Sequence, residues 1–198
     1  FTTDWARDAA RRDFTINALA LMLPDLRLVD VSGGIEDLLA GVIRTPGSPE
    51  SSFTDDPLRM LRAARFASQL GFEISPDTLE AMAEFAERLD IISAERIRDE
   101  FVKLLSSNDP VPGIRHLVDS GLADRFLPEL TALVATQDDH GRHKDVYEHS
   151  LTVLQQAIEL EVERRTEPEA APDIVLRIAA LLHDIGKPVT RRFERGTV

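Results

Sequence analysis

The spacing of apolar positions changes character once along the chain. Up to about residue 45 they come in short runs broken by turn residues; beyond residue 55 they recur every three to four positions. Two apolar runs, residues 17–23 and 26–31, flank Pro24-Asp25, a pattern that predicts a β-hairpin. A short charged helical turn is expected before it, from Asp4 to Arg12. Ser32-Gly33-Gly34 then breaks the chain. A short helix over residues 35–40 closes at Gly41, a short strand covers 42–45, and residues 46–52 read as a Pro/Gly/Ser loop. From Asp55 onward no strand is expected. Helices are predicted over residues 55–70, 76–89, 94–105, 111–120, 122–133 with an interruption at Pro128, 146–163 and 173–185. Gly71 and Gly121 close two of them, and Ser75 and Ser93 stand where N-caps belong. The expected class is α+β, a small hairpin-bearing piece followed by an all-helical remainder.

The helix over residues 55–70 carries candidate chemistry. At roughly 100° per residue, Met60, Leu61, Ala64 and Ala67 share one face, while Arg59, Arg62 and Arg65 share the other. Leu58, Phe66 and Leu70 break the stripe, which implies that the arginine face is partly covered. A partly covered row of guanidiniums beside a helix N-terminus suits a triphosphate. Asp56 and Arg59, three residues apart, pair a carboxylate acceptor with a guanidinium donor. Cytosine and adenine each present an amino donor beside a ring-nitrogen acceptor, so such a pair accepts C and A and rejects G and U. The same spacing equally fits an exposed helix whose Asp55 and Asp56 merely pair with Arg59, at ~0.2–0.5 kcal/mol each.

Composition narrows the options. The chain has 198 residues, a formal charge of −12 and no cysteine, which excludes disulfides, thiolate metal sites and a Cys nucleophile, and makes a cytoplasmic address the expectation. No run approaches 18 apolar residues, so no membrane contact is expected. Residues 1–66 hold 8 Arg against 10 acidic residues, whereas the rest hold 15 basic against 25 acidic. Broad nucleic-acid coating is therefore disfavoured, and a phosphate-facing surface belongs in the first third.

A second constellation lies near the end. Leu181-Leu182-His183-Asp184-Ile185-Gly186-Lys187-Pro188 closes a helix with a His-Asp pair. A carboxylate there opposes the helix dipole and calls for a positive partner, either Lys187 or a bound cation. With His149 upstream, His183 and Asp184 make a workable ligand set for a divalent metal; His140 and His143 lie nearby as possible extensions or as ordinary surface histidines.

Four segments occur in an order that resembles the class II tRNA nucleotidyltransferase (CCA-adding enzyme)/poly(A) polymerase family: Arg11-Arg12-Asp13-Phe14-Thr15-Ile16-Asn17-Ala18, Asp30-Val31-Ser32-Gly33-Gly34-Ile35-Glu36-Asp37-Leu38, residues 55–66, and Ser93-Ala94-Glu95-Arg96-Ile97. The segment around His183-Asp184 is similar to an HD phosphohydrolase domain, which some bacterial members carry. The resemblance implies three parts: the C-terminal part of a nucleotidyltransferase head in residues 1–47, a helical neck in 48–136, and the N-terminal part of an HD domain in 137–198. It implies that Arg11, Arg12 and Asp13 handle the phosphates and ribose with Asn17 in support, that Gly33-Gly34 is a flexible element, that Asp56 and Arg59 read the base, and that Arg62 and Arg65 carry the triphosphate. Asp55 stands where the family has Glu, which puts that supporting contact in question. Glu95, Arg96 and Arg98 match a helix-stabilising motif. The implied activity is addition of C and A to tRNA 3′ ends from CTP and ATP. Mg²⁺ is expected on carboxylates that precede Phe1, so the chain is expected to be an inactive fragment by itself. Poly(A) or A-only synthesis is the neighbouring reading. A metal-dependent HD phosphohydrolase, or helices that merely bind tRNA, are the alternatives of other classes.

Overall fold

The computed structural model describes residues 5–134, 146–166 and 171–190. The chain divides into two compact units, Phe1–Arg125 and Phe126–Val198. The expected boundary between residues 47 and 48 lies inside the first.

In the first unit, helix α1 (Trp5–Ala9) precedes a 3-10 turn over Thr15–Asn17. Strands β1 (Ala20–Met22) and β2 (Arg27–Val29) pair antiparallel, with Ala20 opposite Val29 and Met22 opposite Arg27. The predicted hairpin is present but shorter at its start, because Asn17 belongs to the 3-10 turn. Helix α2 (Gly34–Ala40) follows a left-handed Gly33, and the Asp30 carboxylate accepts from the N–H groups of Ser32, Gly34 and Ile35 at 3.1, 3.0 and 2.9 Å. These bonds hold the Asp30 carboxyl below its ordinary pKa, the Ile35 N–H contributing most.

Three sequence expectations are corrected here. Strand β3 (Val42–Ile43) pairs parallel with β4 (Glu73–Ile74), a strand where none was expected; two residues are too few for any periodicity to register. The stretch read as a loop is mostly helix α3 (Pro49–Asp55), with Ser48 accepting from the Ser51 N–H at 3.3 Å. The single helix expected from residue 55 instead starts at Leu58 as α4 (Leu58–Leu70), because Pro57 disfavours helical backbone at the residue before it; Asp56 sits extended at φ −147°, ψ 98°.

The rest of this unit follows the pattern closely: α5 (Pro76–Glu84) passes into a 3-10 turn over Ala86–Ile91, then come α6 (Ala94–Leu105), α7 (Val111–Asp119) and a 3-10 turn over Ala123–Arg125. Ser75 and Ser93 occupy N-cap positions without a cap bond from the side chain; the Ser75 hydroxyl bonds Thr78 instead, at 2.8 Å. Helix α4 is the centre of the unit and packs on both α6 and α7. Its Met60, Leu61, Ala63, Ala64 and Ala67 are buried, as are Ile97, Leu104 and Leu105 of α6 and Ile114 and Leu117 of α7. Small residues on α4 let α7 come close. Gly113 of α7 lies so near that a Cβ there would meet the Ala64 carbonyl oxygen at 2.5 Å.

In the second unit, α8 (Pro128–Ala132) precedes a packed pair, α9 (Val146–Arg164) and α10 (Ile174–Leu182), with a final turn α11 (Lys187–Thr190). Asp173 caps α10 by accepting from the Leu176 N–H at 3.0 Å. Arg177, only 2% exposed, donates to Glu161 at 2.9 Å across the pair. Burial opposes the Glu161 charge, but the Asp173 N–H, Arg177 and Arg165 outweigh it and hold its pKa below the ordinary value.

Candidate nucleotide cleft and histidine cluster

The helical break at Asp56 creates the main site. A cleft of about 280 Å³ is lined by Arg11, Arg12, Asp13, Asp56, Leu58, Arg59, Arg62 and Arg96. Five arginines, Asp13 and Asp56 come from segments named in the sequence, joined in space from positions up to 85 residues apart.

Every charged group but the Arg11 guanidinium has a partner among the described residues, Arg12 pairing with Asp8 at 2.9 Å. The Asp13 carboxylate, 8% exposed, accepts from the Phe14 N–H at 2.9 Å, from Asn17 Nδ2 at 3.1 Å and from Arg62 Nε at 2.9 Å, with a second bond from Arg62 Nη2. Burial alone would raise its pKa; the Arg62 bonds and charge, then Asn17 and the Phe14 N–H, reverse that and hold it low. Arg62 also stands 4.0 Å from Glu100. Asp56 accepts from Arg96 Nη2 at 3.1 Å. Arg59 donates from Nη1 to the Ser52 hydroxyl at 2.8 Å and from Nη2 to the Arg11 carbonyl at 2.6 Å. The helix-face pairing of Asp55 or Asp56 with Arg59 is thus not adopted among the described residues: Asp56 and Arg59 bond elsewhere, and the Asp55 side chain bonds to none of them.

The backbone below Asp13 is fixed. Thr15 donates its N–H to the Arg44 carbonyl at 2.8 Å and its hydroxyl to Asp37 at 2.7 Å, and Arg44 donates to Asp37 at 3.2 Å. Gly34 permits this, since a Cβ there would stand 2.2 Å from the Thr15 carbonyl oxygen. The Gly-Gly pair, expected as a flexible element, is a close-approach site at its second residue.

The sequence-predicted residues divide in three. Arg11, Arg12, Asp13, Asp56, Arg59 and Arg62 line the cleft. Asn17 acts behind it, on Asp13. Arg65 and Asp55 do not line it: Arg65 is 8% exposed, donates to Glu100 at 2.7 Å and Gln69 at 2.8 Å, stacks 3.9 Å from the Phe66 ring, and opens on a separate cleft with Gln69, Lys103, Ser106 and Ser107. The Asp55 side chain is exposed and makes no hydrogen bond or ion pair among the described residues. Arg96, expected to be structural, lines the cleft, whereas Arg98 pairs with its neighbour Asp99 and Glu95 is exposed. Glu100 escaped the sequence reading altogether. Its signal is a carboxylate at an apolar-stripe position of α6, between buried Ile97 and Leu104, and it accepts from both Arg65 and Lys103.

In the second unit, His149, His183 and Asp184 each offer a ligand atom, all within 4.8 Å of one another. His183 Nδ1 lies 2.9 Å from the Ala180 carbonyl, which turns Nε2 toward Asp184 at 3.1 Å. Lys187 Nζ lies 2.6 Å from the Asp184 carboxylate, so the positive partner the helix end calls for is Lys187. Two imidazoles and a carboxylate suit a divalent transition metal. His140 and His143 lie outside the described residues.

Known proteins share this organisation. A family described as the poly(A) polymerase head domain matches residues 1–44, one described as the probable RNA- and SrmB-binding site of polymerase A matches residues 71–134, and the HD domain matches residues 146–197. The chain belongs to the tRNA nucleotidyltransferase/poly(A) polymerase family. It is 43% identical over 92% of its length to an A-adding tRNA nucleotidyltransferase of Deinococcus radiodurans, of which it spans 41%. It is 48% identical over 62% of its length to a CCA-adding enzyme of Levilactobacillus brevis, of which it spans 30%. A solved CCA-adding enzyme in complex with CTP superposes with a TM-score of 0.65 at 30% identity, over 89% of this chain and 39% of that one. Helices α3 and α4, with Asp56 in the break between them and Arg59 and Arg62 on α4, lie between the head and RNA-binding matches of this family; the histidine cluster lies within the HD match. No helix among the described residues is long and apolar enough to cross a membrane.

Proposed function

We propose that the protein containing this chain is a CCA-adding tRNA nucleotidyltransferase that acts in the cytoplasm. CTP and ATP lie in the Asp56/Arg59 cleft, and the tRNA 3′-hydroxyl attacks the α-phosphorus with release of pyrophosphate. The observation that carries this reading is the convergence of Asp13, Asp56, Arg59 and Arg62 with Arg11 and Arg12 in one cleft. A carboxylate and a guanidinium together read the amino donor and ring-nitrogen acceptor shared by C and A. Arg11, Arg12 and Arg62 face the phosphates, and Asp13 accepts from a ribose hydroxyl. Arg65 contributes from behind the cleft through Glu100, and Asn17 by steadying Asp13. Mg²⁺, the ion expected for two-metal nucleotidyl transfer, is assigned to residues outside this chain. The test is Arg59→Ala in the full-length protein, with incorporation of all four nucleotides on tRNA lacking its 3′ end. Loss of C/A selectivity supports the reading, and unchanged selectivity refutes it.

A-only addition is the second reading, favoured by the relative of that name. Tests on tRNA ending before the first C and on tRNA ending in CC separate the two, since an A-only enzyme extends the second alone. For the second unit we infer a divalent-metal site on His149, His183 and Asp184, where the ion would supply a Lewis acid for phosphate-ester hydrolysis. Titration of Mn²⁺ against the wild type and His183→Ala, followed by calorimetry, tests it: equal binding refutes the assignment.

A further inference from the structure

The side chains of Asp56 and Arg59 do not hold one another, yet a single residue touches both. Ser52, in the last turn of α3, accepts the Asp56 N–H on its carbonyl at 3.1 Å. The same carbonyl is 3.4 Å from Arg59 Nη1, and the Ser52 hydroxyl accepts from that nitrogen at 2.8 Å. Ser52 is 7% exposed, so water competes poorly for its hydroxyl. Neither neighbouring carboxylate takes that place: the Asp55 side chain is exposed and unbonded among the described residues and Asp56 pairs with Arg96, which leaves the Ser52 hydroxyl as the side-chain anchor of Arg59.

A guanidinium on a flexible stem reads a base only if its plane is set beforehand. Three fixed oxygens set it here, the Ser52 hydroxyl at short range and the Ser52 carbonyl at 3.4 Å on Nη1 and the Arg11 carbonyl on Nη2, while no described residue bonds Nε. The backbone half of the arrangement comes from the helical break: extended Asp56 is tied to the turn that carries Ser52.

We propose that Ser52 is a positioning residue whose hydroxyl fixes the Arg59 guanidinium relative to the Asp56 carboxylate, and thereby helps determine base selectivity. This rests on the assignment of Asp56 and Arg59 as the base-reading pair. Because the Asp56 bond uses the Ser52 backbone, Ser52→Ala removes the shorter of the two Nη1 bonds and leaves the backbone bonds to Asp56 and Arg59 in place.

The experiment compares Ser52→Ala, Ser52→Cys and Arg59→Ala in the full-length protein, measuring kcat and KM for CTP, UTP, ATP and GTP on tRNA primers, with thermal midpoints alongside. Ser52→Cys keeps the shape of the side chain, with a larger terminal atom, while replacing a good acceptor with a weak one. Both Ser52 variants are expected to lose about tenfold in C-over-U discrimination, chiefly through KM, with near wild-type midpoints. Full discrimination in Ser52→Ala, alongside its loss in Arg59→Ala, overturns the role of Ser52 and leaves the base-reading pair intact. Discrimination retained by Ser52→Cys but lost by Ser52→Ala marks a packing effect and also overturns it. Unchanged discrimination in Arg59→Ala refutes the base-reading assignment itself, and the role of Ser52 with it.

Discussion

Gly113→Ala sets two physical effects against each other. Helix propensity favours Ala over Gly by about 1 kcal/mol. The structure opposes it: the added Cβ would stand 2.3 Å from Leu104 Cδ1, 2.5 Å from the Ala64 carbonyl oxygen and 2.7 Å from Ser68 Oγ. Leu104 can turn aside, but the Ala64 oxygen is backbone, and reaching ordinary contact requires α7 to retreat from α4 by about 0.9 Å. Retreat also stretches the bond from the Gly113 N–H to Ser68 Oγ, 2.8 Å long and buried. In the first turn of α7 that N–H has no intrahelical partner, so its loss costs roughly 1–3 kcal/mol. Overpacking adds about 1–3 kcal/mol. The net expectation is a destabilisation of about 1–5 kcal/mol, with reduced hydrogen-exchange protection in α4 and α7. The assay is thermal unfolding of the full-length protein with exchange measured by mass spectrometry. Gly47→Ala is the control, because nothing lies within 4 Å of its Cβ. Wild-type or higher stability in Gly113→Ala would refute the close packing of these helices.

Arg62→Ala leaves the buried Asp13 carboxylate without its cation and should cost about 1–3 kcal/mol at neutral pH. The Asp13 pKa is depressed in the fold, so the stability it contributes is present above the unfolded value and lost as pH falls through the folded one. The penalty of Arg62→Ala should therefore shrink below pH ~4, and urea titrations at pH 7 and pH 3 that give equal penalties would contradict this. His116 has its pKa lowered by burial, against the pull of Asp119 and Glu73, so its contribution is full above about pH 6.5 and fades below it. In His116→Gln that part of the acid slope in the unfolding midpoint should disappear. Glu161→Ala strips the carboxylate from Arg177 and should destabilise the α9–α10 pair by about 3 kcal/mol, read as lost exchange protection in those helices. Protection at the wild-type level would show that Arg177 is held by other means.

Long periodic elements were legible in the sequence because burial repeats along them. Helix α6 lies where its stripe placed it, and the buried positions of α4 include the four apolar residues assigned to its inner face. The break at Asp56 was missed although Pro57 signals it, since the apolar period runs on through the interruption. Strand β4 was not legible: its pairing with β3 joins residues about 31 apart and leaves no local trace. Within the cleft, ordered motifs identified Asp56, Arg59 and the Arg11–Asp13 segment. They did not show that Arg65 turns inward to Glu100 or that Arg96 turns toward Asp56, because partner choice among arginines on one helix face depends on the helix packed against it.

The attachment of Thr15 to α2 and β3 has a mechanical consequence. With the Thr15 N–H, its hydroxyl and the Gly34 contact all engaged, the peptide below Asp13 has little room to adapt when a ligand arrives. Adaptation is left to the exposed side chains of Arg11 and of Arg12, the latter having first to release Asp8 at 2.9 Å, and each loses up to about 2 kcal/mol of rotamer freedom when it settles. The cleft thus combines a rigid floor with two movable arms, and the entropic cost of gripping a ligand falls on the arms.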